Sequence, residues 1–107
     1  MLLTIGTFIK EGDDFFGGIA TLLFQQKAVI VACTSKRGKR APDYRVYSNG
    51  VKIGEGRKSM SEDGRSYVSV TLDDPSFVQT VNCGLLDEGF GQYVLVWKRP
   101  RTVPFIL

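Results

Sequence analysis

The stretch Asp43-Tyr44-Arg45-Val46-Tyr47-Ser48-Asn49-Gly50-Val51-Lys52-Ile53-Gly54 decides the fold class. Asn-Gly between two alternating runs is the strongest short-range signal for a β-hairpin. A type I′ turn needs positive φ at both central residues, which Asn tolerates and Gly adopts without steric cost. A two-residue turn fixes the register, with Tyr47 opposite Lys52, Val46 opposite Ile53 and Arg45 opposite Gly54. Side chains alternate across a strand, so Arg45, Tyr47 and Lys52 share one face and Tyr44, Val46 and Ile53 the other. The second set reads as core. The first is a basic face with one aromatic ring. It fits stacking on a base with phosphate contact, and equally an ordinary exposed cross-strand pair.

Working outward, period-2 patterning predicts strands at 4–10, 15–24, 27–33, 43–48, 51–58, 66–72, 77–85 and 92–98. Within 15–24, Gly17 and Gly18 signal a bulge or a close backbone approach. Residues 19–32 also fit a short helix. Turn residues separate the runs: Glu11-Gly12-Asp13-Asp14, Ser61-Glu62-Asp63-Gly64, Asp73-Asp74-Pro75-Ser76 and Asp87-Glu88-Gly89-Phe90-Gly91. About eight short antiparallel strands with regular turns predict a mainly β domain, either a small barrel or a two-sheet sandwich. With 107 residues there is room for one such domain, 1–107, ending in a basic and apolar tail over 98–107.

Composition excludes several functions. Charged residues make up 23% of the chain, which argues against wholesale disorder. Apolar runs are too short to span a bilayer, so no membrane partner is expected. The start, Met1-Leu2-Leu3-Thr4-Ile5-Gly6, lacks a basic leader, and a cytoplasmic protein is expected. The chain has no His, so the commonest general base near neutral pH is absent, and neither a Ser-His nor a Cys-His pair can be built. Two cysteines, Cys33 and Cys83, cannot supply a four-ligand zinc site and read as small buried hydrophobes. The carboxylate pairs Asp13/Asp14, Asp73/Asp74 and Asp87/Glu88 fall in turns, where Asp bonds local amides. Neither an enzyme, nor a metal, nor a cofactor is expected.

Charge is unevenly spread. Nine bases face four acids between Lys36 and Arg65, whereas Ser66–Trp97 holds four acids and no base. The loop bases Lys36, Arg37, Lys39 and Arg40 repel one another unless an anion lies across them, or unless they are simply solvated. With Arg45, Tyr47, Lys52 and Arg57, and the tail bases Lys98, Arg99 and Arg101, they form the candidate nucleic-acid or partner surface. Recognition would be directed at the phosphate backbone, because nothing resembles a base-reading helix. Trp97 ends a run apolar on both faces and reads as core.

The segments Ile5-Gly6-Thr7-Phe8, Phe15-x-Gly17-x-Ile19-x-Thr21-Leu22, Ala41-Pro42-Asp43-Tyr44-Arg45-Val46, Gly64-x-x-Tyr67-x-Ser69-Val70-x-Leu72-Asp73-Asp74-Pro75-Ser76-Phe77 and Trp97-x-Arg99 together resemble a bacterial family known as domain of unknown function seven-three-six. The Leu-Asp-Asp-Pro-Ser-Phe block is the most specific part. The resemblance implies cargo of plasmids and integrative conjugative elements, and it carries over no agreed biochemical function. The chain departs from the family pattern at Arg57, where relatives usually carry Trp, and in its extra loop bases.

Two functions are therefore expected. The first is a non-enzymatic binding protein of a mobile genetic element that engages nucleic acid or a nucleoprotein complex. The alternative is a small inhibitor or adaptor acting on a host-defence complex of the CRISPR or restriction type. In that case Asp73, Asp74, Asp87 and Glu88 would imitate phosphate, or the basic loop would grip an acidic partner. Phe90 or the end Phe105-Ile106-Leu107 would serve as the anchor. A strand edge or the tail would also allow a homodimer.

Overall fold

A computed structural model describes residues 2–21, 25–34, 38, 41–75, 77 and 79–98, the side chains of Leu2 and Lys98 excepted. Eight strands follow in order: β1 (Leu2–Glu11), β2 (Asp14–Ala20), β3 (Gln25–Ala32), β4 (Tyr44–Ser48), β5 (Val51–Met60), β6 (Ser66–Leu72), β7 (Val81–Gly89) and β8 (Gln92–Lys98). Each pairs antiparallel with the next, and β8 returns to β1 to close a barrel. The barrel form of the expected fold is the one adopted, and the described residues include no helix. Residues 25–32 are a strand because Ala28 and Ile30 are buried while Val29 and Val31 are only partly covered, the alternation of a one-sided sheet.

Inward side chains fill the barrel. Phe8, Ile30, Val46, Val70, Leu72, Leu85 and Leu95 are almost fully buried. Each side chain of this size contributes about 1.5–3 kcal/mol by leaving water. No helix among the described residues is long and apolar enough to cross a membrane. Closure pairs every strand on both sides, so the strand-edge route to a homodimer has no long edge to use.

The structure corrects two sequence expectations and decides between the alternatives of another. First, the strand predicted at 77–85 runs instead from Val81 to Gly89. Pro75 opens a turn in which the Phe77 amide donates to the Asp74 carbonyl at 2.8 Å, and the Phe77 ring packs on the core from the loop. Asp87 and Glu88 consequently belong to the strand end, with a register shift between Asp87 and Gly89. Second, of the bulge or close backbone approach expected at Gly17, the close approach is the one adopted, since β1 and β2 pair without a shift. A Cβ at Gly17 would fall 1.9 Å from the Thr7 carbonyl oxygen, so close backbone approach explains the glycine. Third, the hairpin register slips by one between Val46 and Tyr47. Tyr47 does face Lys52, but Val46 faces Gly54 and Arg45 faces Glu55, leaving Ile53 as the extra residue of a bulge.

The up-and-down order sends the turns alternately to two ends. One end receives the β2–β3, β4–β5 and β6–β7 connections, and there Phe77, Val81 and Trp97 pack against the core. The other receives the β1–β2, β3–β4, β5–β6 and β7–β8 connections and opens into a mouth.

Candidate nucleic-acid interface

The outer wall of β1–β5 carries an unbroken cross-strand row. Ile9 faces Phe16, Phe16 faces Val29, Val29 faces Tyr47, and Tyr47 faces Lys52. Their inward neighbours Phe8, Phe15, Ala28, Ile30, Val46 and Ser48 are buried, so strand alternation turns the row to solvent. Ile9 keeps 55% of its surface exposed and Phe16 42%, and Tyr47 is half-buried. Phe16 and Tyr47 are two strands apart, about 10 Å at the usual strand spacing.

Cations flank this row. Lys27 lies two residues before Val29 on β3, and Arg45 two residues before Tyr47 on β4, each on the same face as its neighbour. Lys27, Arg45, Lys52 and Arg57 are all exposed. Glu55 stands among them. Lys52 Nζ donates to Glu55 Oε2 at 2.7 Å. That hydrogen bond first, and then the charges of Lys52, Arg57 and Arg45, hold the Glu55 carboxyl below its ordinary range despite slight desolvation. Three cations thus act on one carboxylate; Lys27 adds a fourth base to the face, while Glu11 and Asp14, two residues from Ile9 and Phe16, lie toward its β1–β2 side. The Arg57 guanidinium is held toward the end of the β3–β4 connection, where Nη1 donates to the Ala41 carbonyl at 3.2 Å.

The hairpin that carries Arg45, Tyr47 and Lys52 is fixed at its tip. Asn49 and Gly50 have φ of 53° and 79°, the pair of left-handed residues that a type I′ turn requires. Asn49 Nδ2 donates to Gln26 Oε1, and the buried Ser48 hydroxyl donates to the Lys27 carbonyl, both at 2.8 Å. These bonds tie the tip to β3 and keep the aromatic row in register.

Of the candidate residues read from sequence, Arg45, Tyr47, Lys52 and Arg57 come together on this face. Lys36, Arg37, Lys39, Arg40, Arg99, Arg101, Phe105, Ile106 and Leu107 lie outside the described residues, as does the side chain of Lys98. Phe90 is elsewhere, at the tip of the β7–β8 turn, fully exposed and with φ of 54°. The four acids of the phosphate-imitating alternative are not gathered. Asp73 and Asp74 precede β7 at the closed end, and Asp87 and Glu88 end it at the mouth, so the length of β7 separates the pairs. Sequence reading missed Ile9, Phe16, Val29 and Lys27. The signal was Phe15-Phe16 itself, because two successive aromatics in one strand must point to opposite faces.

Both cysteines are free thiols, Cys83 buried and Cys33 partly so. Among the described residues no group of three or more His, Cys, Asp or Glu is placed to hold a metal ion. A family model described as "Protein of unknown function (DUF736)" matches residues 4–100. No curated protein matches the chain, and no solved structure does.

Proposed function

The chain belongs to the DUF736 family, and from the geometry of its outer wall we propose that it binds single-stranded nucleic acid. One observation carries the reading: the register sets Phe16 and Tyr47 in one exterior row with Lys52, and Lys27 and Arg45 beside it. Successive bases stack on the two rings, and the cations follow the phosphates. Stacking on a protein ring contributes about 1–3 kcal/mol per base and tolerates any sequence, since every base has a π-face. A single strand is favoured over a duplex because only unstacked bases offer their faces to a ring. The setting that the resemblance implies, a bacterial mobile genetic element, is part of the proposal. So is a contribution of the loop bases Lys36, Arg37, Lys39 and Arg40 to phosphate binding. Fluorescence anisotropy of a labelled oligonucleotide tests the reading. Phe16→Ala and Tyr47→Ala should each weaken binding about tenfold, with the duplex bound less tightly than the strand. Wild-type affinity in both variants would remove the stacking platform.

Phe90 supports a second reading, a protein-binding adaptor directed at a host complex. It is a fully exposed aromatic ring on a left-handed backbone at a hairpin tip, the kind of anchor that fills a pocket on a partner. Recovery of one stoichiometric protein from nuclease-treated lysate, lost with Phe90→Ala, would favour this reading over the first.

A further inference from the structure

The open mouth of the barrel is a site distinct from the outer wall. Its floor is formed by the rings of Phe15, Tyr44 and Tyr93. Phe15 meets Tyr44 edge-on at 5.8 Å between centroids and Tyr93 edge-on at 4.8 Å. Above the floor opens a concavity of about 510 Å³, inside the ordinary range for small-molecule pockets.

Three charged side chains line it. Lys10 faces Phe15 across β1 and β2, and its ammonium lies 6.0 Å from the centre of that ring. Lys58 faces Val68 across β5 and β6, which turns it to the interior side, where β5 leaves the core for solvent. Asp87 supplies the carboxylate. Its Oδ1 accepts the Gly89 amide at 2.7 Å, and it also takes the Tyr93 hydroxyl. A carboxylate has about four acceptor positions, so Asp87 keeps room for further donors.

This combination restricts the occupant. Aromatic walls select a flat or apolar group. Lys10 and Lys58 offer an anionic group two donors, against the carboxylates of Asp87 and of Asp13 and Asp43, which act on the Tyr44 hydroxyl, so the occupant carries both an anionic group and donors. One carboxylate with spare acceptor capacity suits an occupant that also has N–H donors. We propose that the mouth binds a single nucleotide, its base against the Phe15, Tyr44 and Tyr93 rings and its phosphate between Lys10 and Lys58. The occupant is either a free nucleoside monophosphate or the phosphorylated end of a strand. The proposal stands apart from the outer-wall reading, because it involves none of Phe16, Arg45, Tyr47 or Lys52.

An NMR titration of the full chain with nucleoside 5′-monophosphates tests it. Binding in the range of about millimolar or tighter is expected for a ligand of this size. Amide shifts should concentrate at Lys10, Tyr44, Lys58 and Tyr93 and spare Val29 and Tyr47. The nucleoside without phosphate, and inorganic phosphate alone, should each bind about tenfold more weakly. Lys10→Glu with Lys58→Glu, both at exposed positions, should weaken monophosphate binding by at least tenfold, or about one step in log affinity. Arg45→Ala with Tyr47→Ala should leave it within about twofold, which separates failure of this site from failure of the outer wall. Displacement by a 5′-phosphorylated oligonucleotide and not by its 5′-hydroxyl counterpart assigns the site to strand ends, whereas displacement by neither assigns it to the free nucleotide. Three results would overturn the proposal: no shifts at about 10 mM monophosphate, shifts confined to the outer row, or phosphate binding as tightly as the nucleotide.

Discussion

Arg45 faces Glu55 directly across β4 and β5 on the outer wall of the barrel. The pairing exists because Ile53 bulges out of register, which moves Glu55 into the position that regular pairing would give to Gly54. Glu55 therefore partly neutralises the surface proposed to hold phosphates. Removing its charge while keeping its shape should strengthen strand binding. Each charge pair at this range contributes on the order of 1 kcal/mol in a water-like dielectric, so Glu55→Gln should raise affinity about fivefold at low salt. The gain should fade as salt screens it. Anisotropy at low and high salt is the measurement, and unchanged or weaker binding at low salt would count against the cation cluster as the phosphate site.

Two glycines in the wall predict opposite responses to alanine. At Gly17 a Cβ would lie 1.9 Å from the Thr7 carbonyl oxygen, a backbone atom that cannot yield without parting β1 from β2. At Gly84 the nearest atoms to a Cβ are 3.6 Å away on the Tyr67 ring, ordinary contact. Gly17→Ala should lose about 3 kcal/mol or more, the upper end of overpacking effects. Gly84→Ala should change stability by less than about 1 kcal/mol, with a gain expected from the stiffer unfolded chain. Urea unfolding of the two variants makes the comparison.

The β7–β8 turn holds three successive left-handed residues, Gly89, Phe90 and Gly91, with φ of 95°, 54° and 76°. Left-handed backbone costs a side-chain-bearing residue about 1–2 kcal/mol, and the exposed Phe90 ring has no burial to offset it. Phe90→Gly should stabilise the fold by about 0.5–1 kcal/mol, because glycine's greater unfolded-state freedom returns part of the relief. A rise in the urea midpoint is the expected result. A fall would mean that the ring makes stabilising contacts within the fold.

Alkali should destabilise the barrel. Burial pushes the Cys83 thiol up to about 12. Burial also raises the Tyr44 hydroxyl, helped by Asp43 and Asp13, and the Tyr93 hydroxyl, helped by Asp87. In each case the folded state prefers the neutral, protonated form. The associated stability is complete below the unfolded-state pKa values and is lost as pH rises toward the folded ones. The urea midpoint should hold steady from about pH 7 to 8 and fall from about pH 9 upward, since unperturbed thiols and phenols titrate near 8.5 and 10. Cys83→Ala should flatten the earliest part of that fall. An equal slope in wild type and variant would remove the thiol as a cause.

Much of the barrel is local and therefore legible. Asn49-Gly50 announces its turn by chemistry, and Ser66–Leu72 alternates cleanly because β6 has one buried face. The closing β1–β8 pairing is not legible, since no short-range signal links residues so far apart in sequence. The Ile53 bulge also escapes notice, because Gly54 has no side chain to reveal which face it occupies. At Phe77 an aromatic residue packs on the core from a loop, and hydropathy alone cannot distinguish that from a strand position. The candidate surface was legible on β4 and β5, where turn chemistry sets the register. Its other half on β2 and β3 depends on knowing that these strands lie next to β4.

The most direct test of the central claim is the salt dependence of binding to a single strand of about 12 nucleotides, within the usual site size for a small domain. If Lys27, Arg45, Lys52 and Arg57 neutralise about four phosphates, log K should fall against log salt with a slope of about −3, steeper where the loop bases add contacts. Arg45→Ala, Lys52→Ala and Arg57→Ala combined should make that slope shallower by about 2. Absence of binding at about 50 mM salt, or an unchanged slope in the triple variant, would contradict the account.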